Sequence, residues 1–109
     1  MTITETEEYT IQLLQEHLPE DWHNWKVRFF YSHRLLGRTF YPSKVIEISL
    51  WAIQNATSED VMTIIKHEVA HAIAFYIFGD MEHNQIWQWI CKYFVGCPAK
   101  PTLKVTLTN

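Results

Sequence analysis

Cysteine is scarce in this chain, with two in 109 residues, and Cys91 and Cys97 stand six positions apart. That spacing excludes the C-x-x-C unit of a metal knuckle or redox pair, and both read as buried, inert thiols kept reduced in a cytosol. An excess of one charge is also missing: nine Lys and Arg face twelve Asp and Glu, a formal net charge of −3. Interspersed charges at that level make no long-range field to gather nucleic acid or anionic lipid. The stretch Met1 to Tyr9 is acidic and polar, so it does not read as a secretory signal, and no apolar run is expected to approach membrane-spanning length. A cytoplasmic monomer without a membrane partner is the expectation. Repeats, low-complexity tracts and linkers are lacking too, so residues 1–109 read as a single domain.

What is present is apolar and aromatic. Hydrophobic residues make up 48% of the chain, with five Trp, five Tyr and six Phe, enough to bury a core without disulfides. From about Glu5 to His17 the residues Ile11, Leu14 and Leu18 fall on one helical face, and Pro19 ends the pattern. Lys26 to Ser32, Arg34 to Tyr41 and Lys44 to Leu50 alternate as two or three short antiparallel strands, with Gly37 marking a bulge or turn and Pro42-Ser43 punctuating the chain. A capping residue at Thr57 or Ser58, followed by Glu59 and Asp60, opens a helix reaching to about Phe78, where Gly79 stops it. After a loop from Asp80 to Asn84, a third helix runs from about Gln85 to Val95 and is closed by Gly96 and Pro98. Within it Trp87, Ile90, Cys91 and Phe94 recur at helical spacing as core contacts. Thr102 to Thr108 alternates weakly, as a strand or a loose end. The fold class is α+β.

The second helix carries His67-Glu68-Val69-Ala70-His71, the H-E-x-x-H pattern. Four residues apart, the two imidazoles stand about 40° around and about 6 Å along the helix, close enough to share one ion. Glu68 sits about 100° away, beside the ion rather than on it, where a carboxylate can deprotonate an attacking water and pass the proton to a leaving amine. Composition alone would produce the pattern about once in fifty random orderings, so context has to decide. From Val61 to Phe78 the helix is apolar nearly all round, and only Lys66, His67, Glu68 and His71 carry acidic or basic groups there apart from the phenol of Tyr76. A buried unpaired carboxylate or imidazole is costly, whereas a metal satisfies all three motif residues together. The bland reading makes them core or surface groups bonded to backbone. A third ligand is needed, with an open fourth position for water. His83 follows His71 by twelve residues, just past the Gly79 turn; Glu82 and Asp80 share that loop as rivals.

From Trp25 to about Pro98 the order of features resembles the SprT-like metalloprotease family, whose domain also occurs in the Spartan proteases. The stretches carrying the resemblance are Trp25 to Phe30, Leu36-Gly37-Arg38, Val45 to Leu50, Thr63 to Ala72, and His83 with Trp87 ahead of Gly96 and Pro98. After the helix the family pattern is similar to H-G-x-x-[FW]; here it stands as His83-Asn84-Gln85-Ile86-Trp87, and Asn84 in place of Gly is a mild departure because Asn tolerates left-handed backbone. The resemblance implies a zincin-like fold, a small antiparallel sheet packed on a buried active-site helix with flanking helices. It also implies one Zn2+ per chain held by His67, His71 and His83, with Glu68 catalytic. In zincins an edge strand pairs with extended substrate, and Val45 to Leu50 is the expected edge. Many relatives carry a four-cysteine zinc ribbon linked to nucleic acid; these residues hold no such set, so DNA-dependent regulation is not carried over. Arg34, Arg38 and Lys44 form a modest cluster that reads as a solvated face.

Three functions follow. The first is a zinc-dependent endopeptidase acting on a protein or peptide substrate. The second is a non-catalytic, zinc-stabilised interaction module. In the third, still a peptidase, Glu82 replaces His83 as ligand. Tyr31, Tyr41 and Tyr76 are phenols that could reach an oxyanion, and sequence singles out none.

Overall fold

The computed structural model describes residues 1–79 and 82–98; Asp80 and the expected strand or loose end at Thr102 to Thr108 lie outside the described residues. Helix α1 spans Ile3–His17 and starts earlier than its apolar pattern suggests, because Thr2 and Glu5 form a capping box. Thr2 accepts from the Glu5 N–H at 3.0 Å, and Glu5 returns the favour to the Thr2 N–H at 2.8 Å, satisfying two otherwise free donors. The buried stripe is Thr6, Thr10, Leu13 and Leu14, with Ile11 only half buried. Two threonines can be buried because each hydroxyl donates to the carbonyl one turn back, Thr6 to Thr2 at 2.8 Å and Thr10 to Thr6 at 2.7 Å. That stripe lies on α3 (Ser58–Phe78).

A 3-10 turn at Trp22–Asn24 leads into the sheet of β1 (Lys26–Phe30), β2 (Gly37–Phe40) and β3 (Val45–Ser49). The sheet is mixed, in the order β1-β3-β2, and this corrects the antiparallel expectation: β1 runs parallel to β3, while β2 is antiparallel to it. The physical reason is composition. In β3, Val45, Ile46, Ile48 and Ser49 are all buried, so it takes the centre. Exposed Lys26 and Arg28 on β1 and half-buried Arg38 and exposed Phe40 on β2 keep those strands at the edges, where one side meets water. Val45 to Leu50 is therefore not an edge; both of its sides are already paired, and Leu50 opens the next helix.

That helix, α2 (Leu50–Asn55), is absent from the sequence reading. Ser49 creates it by accepting from the Ala52 N–H at 3.3 Å while its hydroxyl donates to the Ser32 carbonyl. Helix α3 has the expected bounds. Thr57 caps it by accepting from the Asp60 N–H at 3.1 Å, and Gly79 ends it at φ 67°, with its N–H on the Phe75 carbonyl at 2.8 Å. By length and composition α3 is apolar enough to cross a membrane, contrary to expectation, but 61% of that window is buried inside the protein. Its apolar surface serves as core, packed by α1, β2 and the last helix.

Helix α4 (Gln85–Ile90) is capped by the Asn84 side chain, which accepts from Ile86 and Trp87 N–H groups. It then widens into a π-turn at Cys91–Val95, closed by the Gly96 N–H on the Cys91 carbonyl at 2.8 Å. The extra residue per turn moves the inward face by one position. Val95 is buried and Phe94 is 53% exposed, which overturns the assignment of Phe94 to the core. Trp87, Ile90 and Cys91 are buried as expected, and Cys91 and Cys97 are buried free thiols.

Asp21 ties these parts together. It is 4% exposed and accepts from Asn24, from the Trp25 indole and from both-oxygen contacts of Lys44 at 2.7 and 2.9 Å. Burial pushes its carboxyl up, but those donors outweigh it and leave it below the usual aspartate range. Ile46, fully buried at the centre of the sheet, should cost about 2–5 kcal/mol when cut to Ala. Urea unfolding would show this as a lower midpoint, while Arg28→Ala on the exposed face should move stability by no more than about 0.5 kcal/mol.

Candidate metal centre

His67 and His71 lie one turn apart on the buried stretch of α3, at 5% and 7% exposure. His83, just before α4, lies against them. Its Nε2 lies 2.9 Å from His71 Nε2 and 3.2 Å from His67 Nε2. A neutral ring nitrogen carries either one proton or one lone pair, so His83 Nε2 cannot make two well-formed hydrogen bonds to these neighbours at once. An ion bonded to tetrahedral nitrogens at about 2.0–2.1 Å sets them roughly 3.3 Å apart, close to the spacing here. The three side chains come together as a group that could hold a metal ion. Glu82 is exposed and outside that group.

Burial keeps the rings ready for this task. Desolvation, with His83 nearby, lowers His67 to about 4. Desolvation, then His67 and His83, lowers His71 to about 3. The more open His83 is also lowered by burial. All three are neutral near pH 7, so a cation meets uncharged rings and need not displace the second proton of an imidazolium. Trp87, fully buried, fixes the rings from below. Its indole stacks on His71 at 5.2 Å and 22°, and meets His67 at 4.7 Å and His83 at 4.6 Å, the last edge-on.

Glu68 is 6% exposed, and burial pushes its carboxyl up to about 7, partly opposed by a hydrogen bond from Thr39. The Thr39 hydroxyl donates to Glu68 Oε1 at 2.7 Å. Sequence reasoning missed Thr39, because the two residues are 29 positions apart and only strand alternation, which puts Thr39 on the face opposite Arg38, hints at it. The tyrosines named from sequence are dispersed: Tyr31 and Tyr76 are exposed, and the ring of Tyr41 packs on Phe75 at 4.5 Å. Of the basic cluster, Arg38 is paired with Glu47 at 2.6 Å and lies over the Phe30 ring, while Lys44 is paired with Asp21.

A buried helix offering two imidazoles, completed by a third from the next segment and flanked by a small mixed sheet, defines an α+β protein with a three-histidine site able to hold a metal ion. The SprT-like family model matches residues 6–107, and the chain belongs to that family. No match was found among curated proteins or among solved structures.

Titration of metal-free protein with Co2+ should give the visible bands of a tetrahedral site at one equivalent; His71→Ala and His83→Ala should remove them, and Glu82→Ala should leave them. Retention of full occupancy by His83→Ala would transfer the third ligand elsewhere. The acid limb offers a second measurement. The folded carboxyl of Glu68 holds a proton that the unfolded one, at 4.5, has released, so this group alone withdraws stability from the metal-free fold as pH rises from about 4.5 through about 7, while the lowered His67 and His71 act in the opposite sense. Glu68→Gln has no such proton, and its melting temperature should gain on the parent between about pH 5 and about pH 8. A constant difference would show the carboxyl titrating in the ordinary range.

Proposed function

We propose that the protein is a zinc-dependent endopeptidase that hydrolyses peptide bonds of a protein substrate, with one zinc per chain on His67, His71 and His83 and Glu68 as acid and base. The observation that carries this reading is the convergence of three Nε2 atoms of neutral imidazoles, two of them on the helix that also buries a carboxyl poised at about 7. An ion on those nitrogens would polarise the scissile carbonyl and make water a better acid.

The chain's own residues do the rest. The imidazoles hold position without competing protons. A carboxyl poised near neutrality is matched to both halves of the reaction: Glu68 takes a proton from the attacking water and gives it to the departing amine nitrogen. The strand edge that supports an extended substrate in this reading is β2, which packs on α3 and pairs with β3 on one side only.

Zinc-loaded protein should cut denatured, fluorescein-labelled casein, and a chelator should stop it. Glu68→Gln should keep zinc yet lose at least about 100-fold in rate. Cutting that survives Glu68→Gln rejects the mechanism. Stoichiometric zinc with no cutting by the parent rejects the peptidase and leaves a metal-held interaction module.

A further inference from the structure

Two residues on one face of β2, Gly37 and Thr39, meet Glu68 across the gap to α3. The Thr39 hydroxyl is 2.7 Å from Glu68 Oε1 and 3.1 Å from the Glu68 carbonyl oxygen. It has one proton, and the shorter contact places that proton on the carboxyl. At Gly37 a Cβ would stand 2.9 Å from Glu68 Cγ, 2.9 Å from Oε2 and 3.1 Å from Cδ. Real Cβ atoms do not sit that close to heavy atoms. All three of these atoms belong to the Glu68 side chain, so the strand comes this near only because position 37 has no side chain of its own.

We infer that β2 is a clamp for Glu68, with Thr39 and Gly37 as positioning residues: the hydroxyl anchors Oε1, and the bare glycine seats the carboxyl against the strand. The inference rests on reading Glu68 as the acid and base of the proposed reaction. A glutamate has three torsions, and an unheld carboxyl spreads over several rotamers. Proton transfer needs it in one place, because misplacement by about 1 Å can cost about 100-fold in rate. Thr39 can serve both protonation states: it donates to Oε1 whether or not Oε2 bears a proton. Glycine at 37 works by absence, and the groups that would yield to a methyl there are all Glu68 side-chain atoms from Cγ outward, none of them backbone. An added methyl should therefore displace the carboxyl and spare the fold.

The test is a set of zinc-loaded variants assayed on denatured, labelled casein, with the Glu68 carboxyl 13C resonance read separately in metal-free protein. Thr39→Val should lower kcat about 10- to 100-fold with KM unchanged, keep the parent's cobalt spectrum, and shift the Glu68 carboxyl resonance. Thr39→Ser should restore most of both. Gly37→Ala should unfold within a few degrees of the parent yet lose a similar share of kcat. A Thr39→Val protein with kcat within about twofold of the parent and an unmoved Glu68 resonance overturns the clamp while the peptidase reading stands, provided Glu68→Gln is inactive. If Glu68→Gln is as active as the parent, both readings fall, since a clamp on an idle carboxyl positions nothing.

Discussion

The molecule depends on the burial of three ionisable side chains in an apolar helix. Removed from water, an imidazole resists taking a proton and a carboxyl resists losing one. The same desolvation therefore holds His67 and His71 neutral and keeps Glu68 near half-protonation at pH 7. Opposite shifts on adjacent residues of one helix require a dry surround, and the rest of the fold supplies it. Helix α1 covers one flank of α3, β2 another, and α4 brings Trp87 under the imidazoles.

Burial of this kind is unfavourable on its own, which explains the rigidity of the surroundings. Thr6 and Thr10 allow α1 to approach closely because they are small and satisfy their own hydroxyls internally. Asn84 caps α4 through two N–H groups, which fixes where that helix begins and so where His83 sits immediately before it. The left-handed Gly79 ends α3 about two turns beyond His71. None of these groups is a candidate ligand; each helps to fix the frame that carries the histidines.

Much of this was legible in the sequence, and the missing parts share a cause. The bounds of α3 could be read because its cap, its acidic first turn and its terminal glycine are all local signals. His67, Glu68 and His71 were legible for the same reason, and His83 because a short turn-back limits where the chain can go. Strand neighbours were not legible: alternation sets which face a residue uses, and says nothing about which strand lies beside it. Thus β3 moved from the edge to the centre. The π-turn escaped because a period of 3.6 was assumed through Phe94, and α2 because VIEISL runs into LWAIQN with no glycine or proline between them. Thr39 was hidden by its distance in sequence from the carboxyl it touches.

The Asp21–Lys44 pair has a mechanical meaning. Asp21 stands at the entry to β1, and Lys44 ends the turn between β2 and β3 with its backbone at φ 60°. The Lys26 N–H donates to the Lys44 carbonyl at 3.0 Å, so the first rung of the parallel pair sits directly beside the ion pair. This works as a latch at the mouth of the sheet, far along the chain from the histidines. Because β3 pairs with β1 on one side and β2 on the other, this mostly buried ion pair fixes the end of the sheet whose far strand packs on α3.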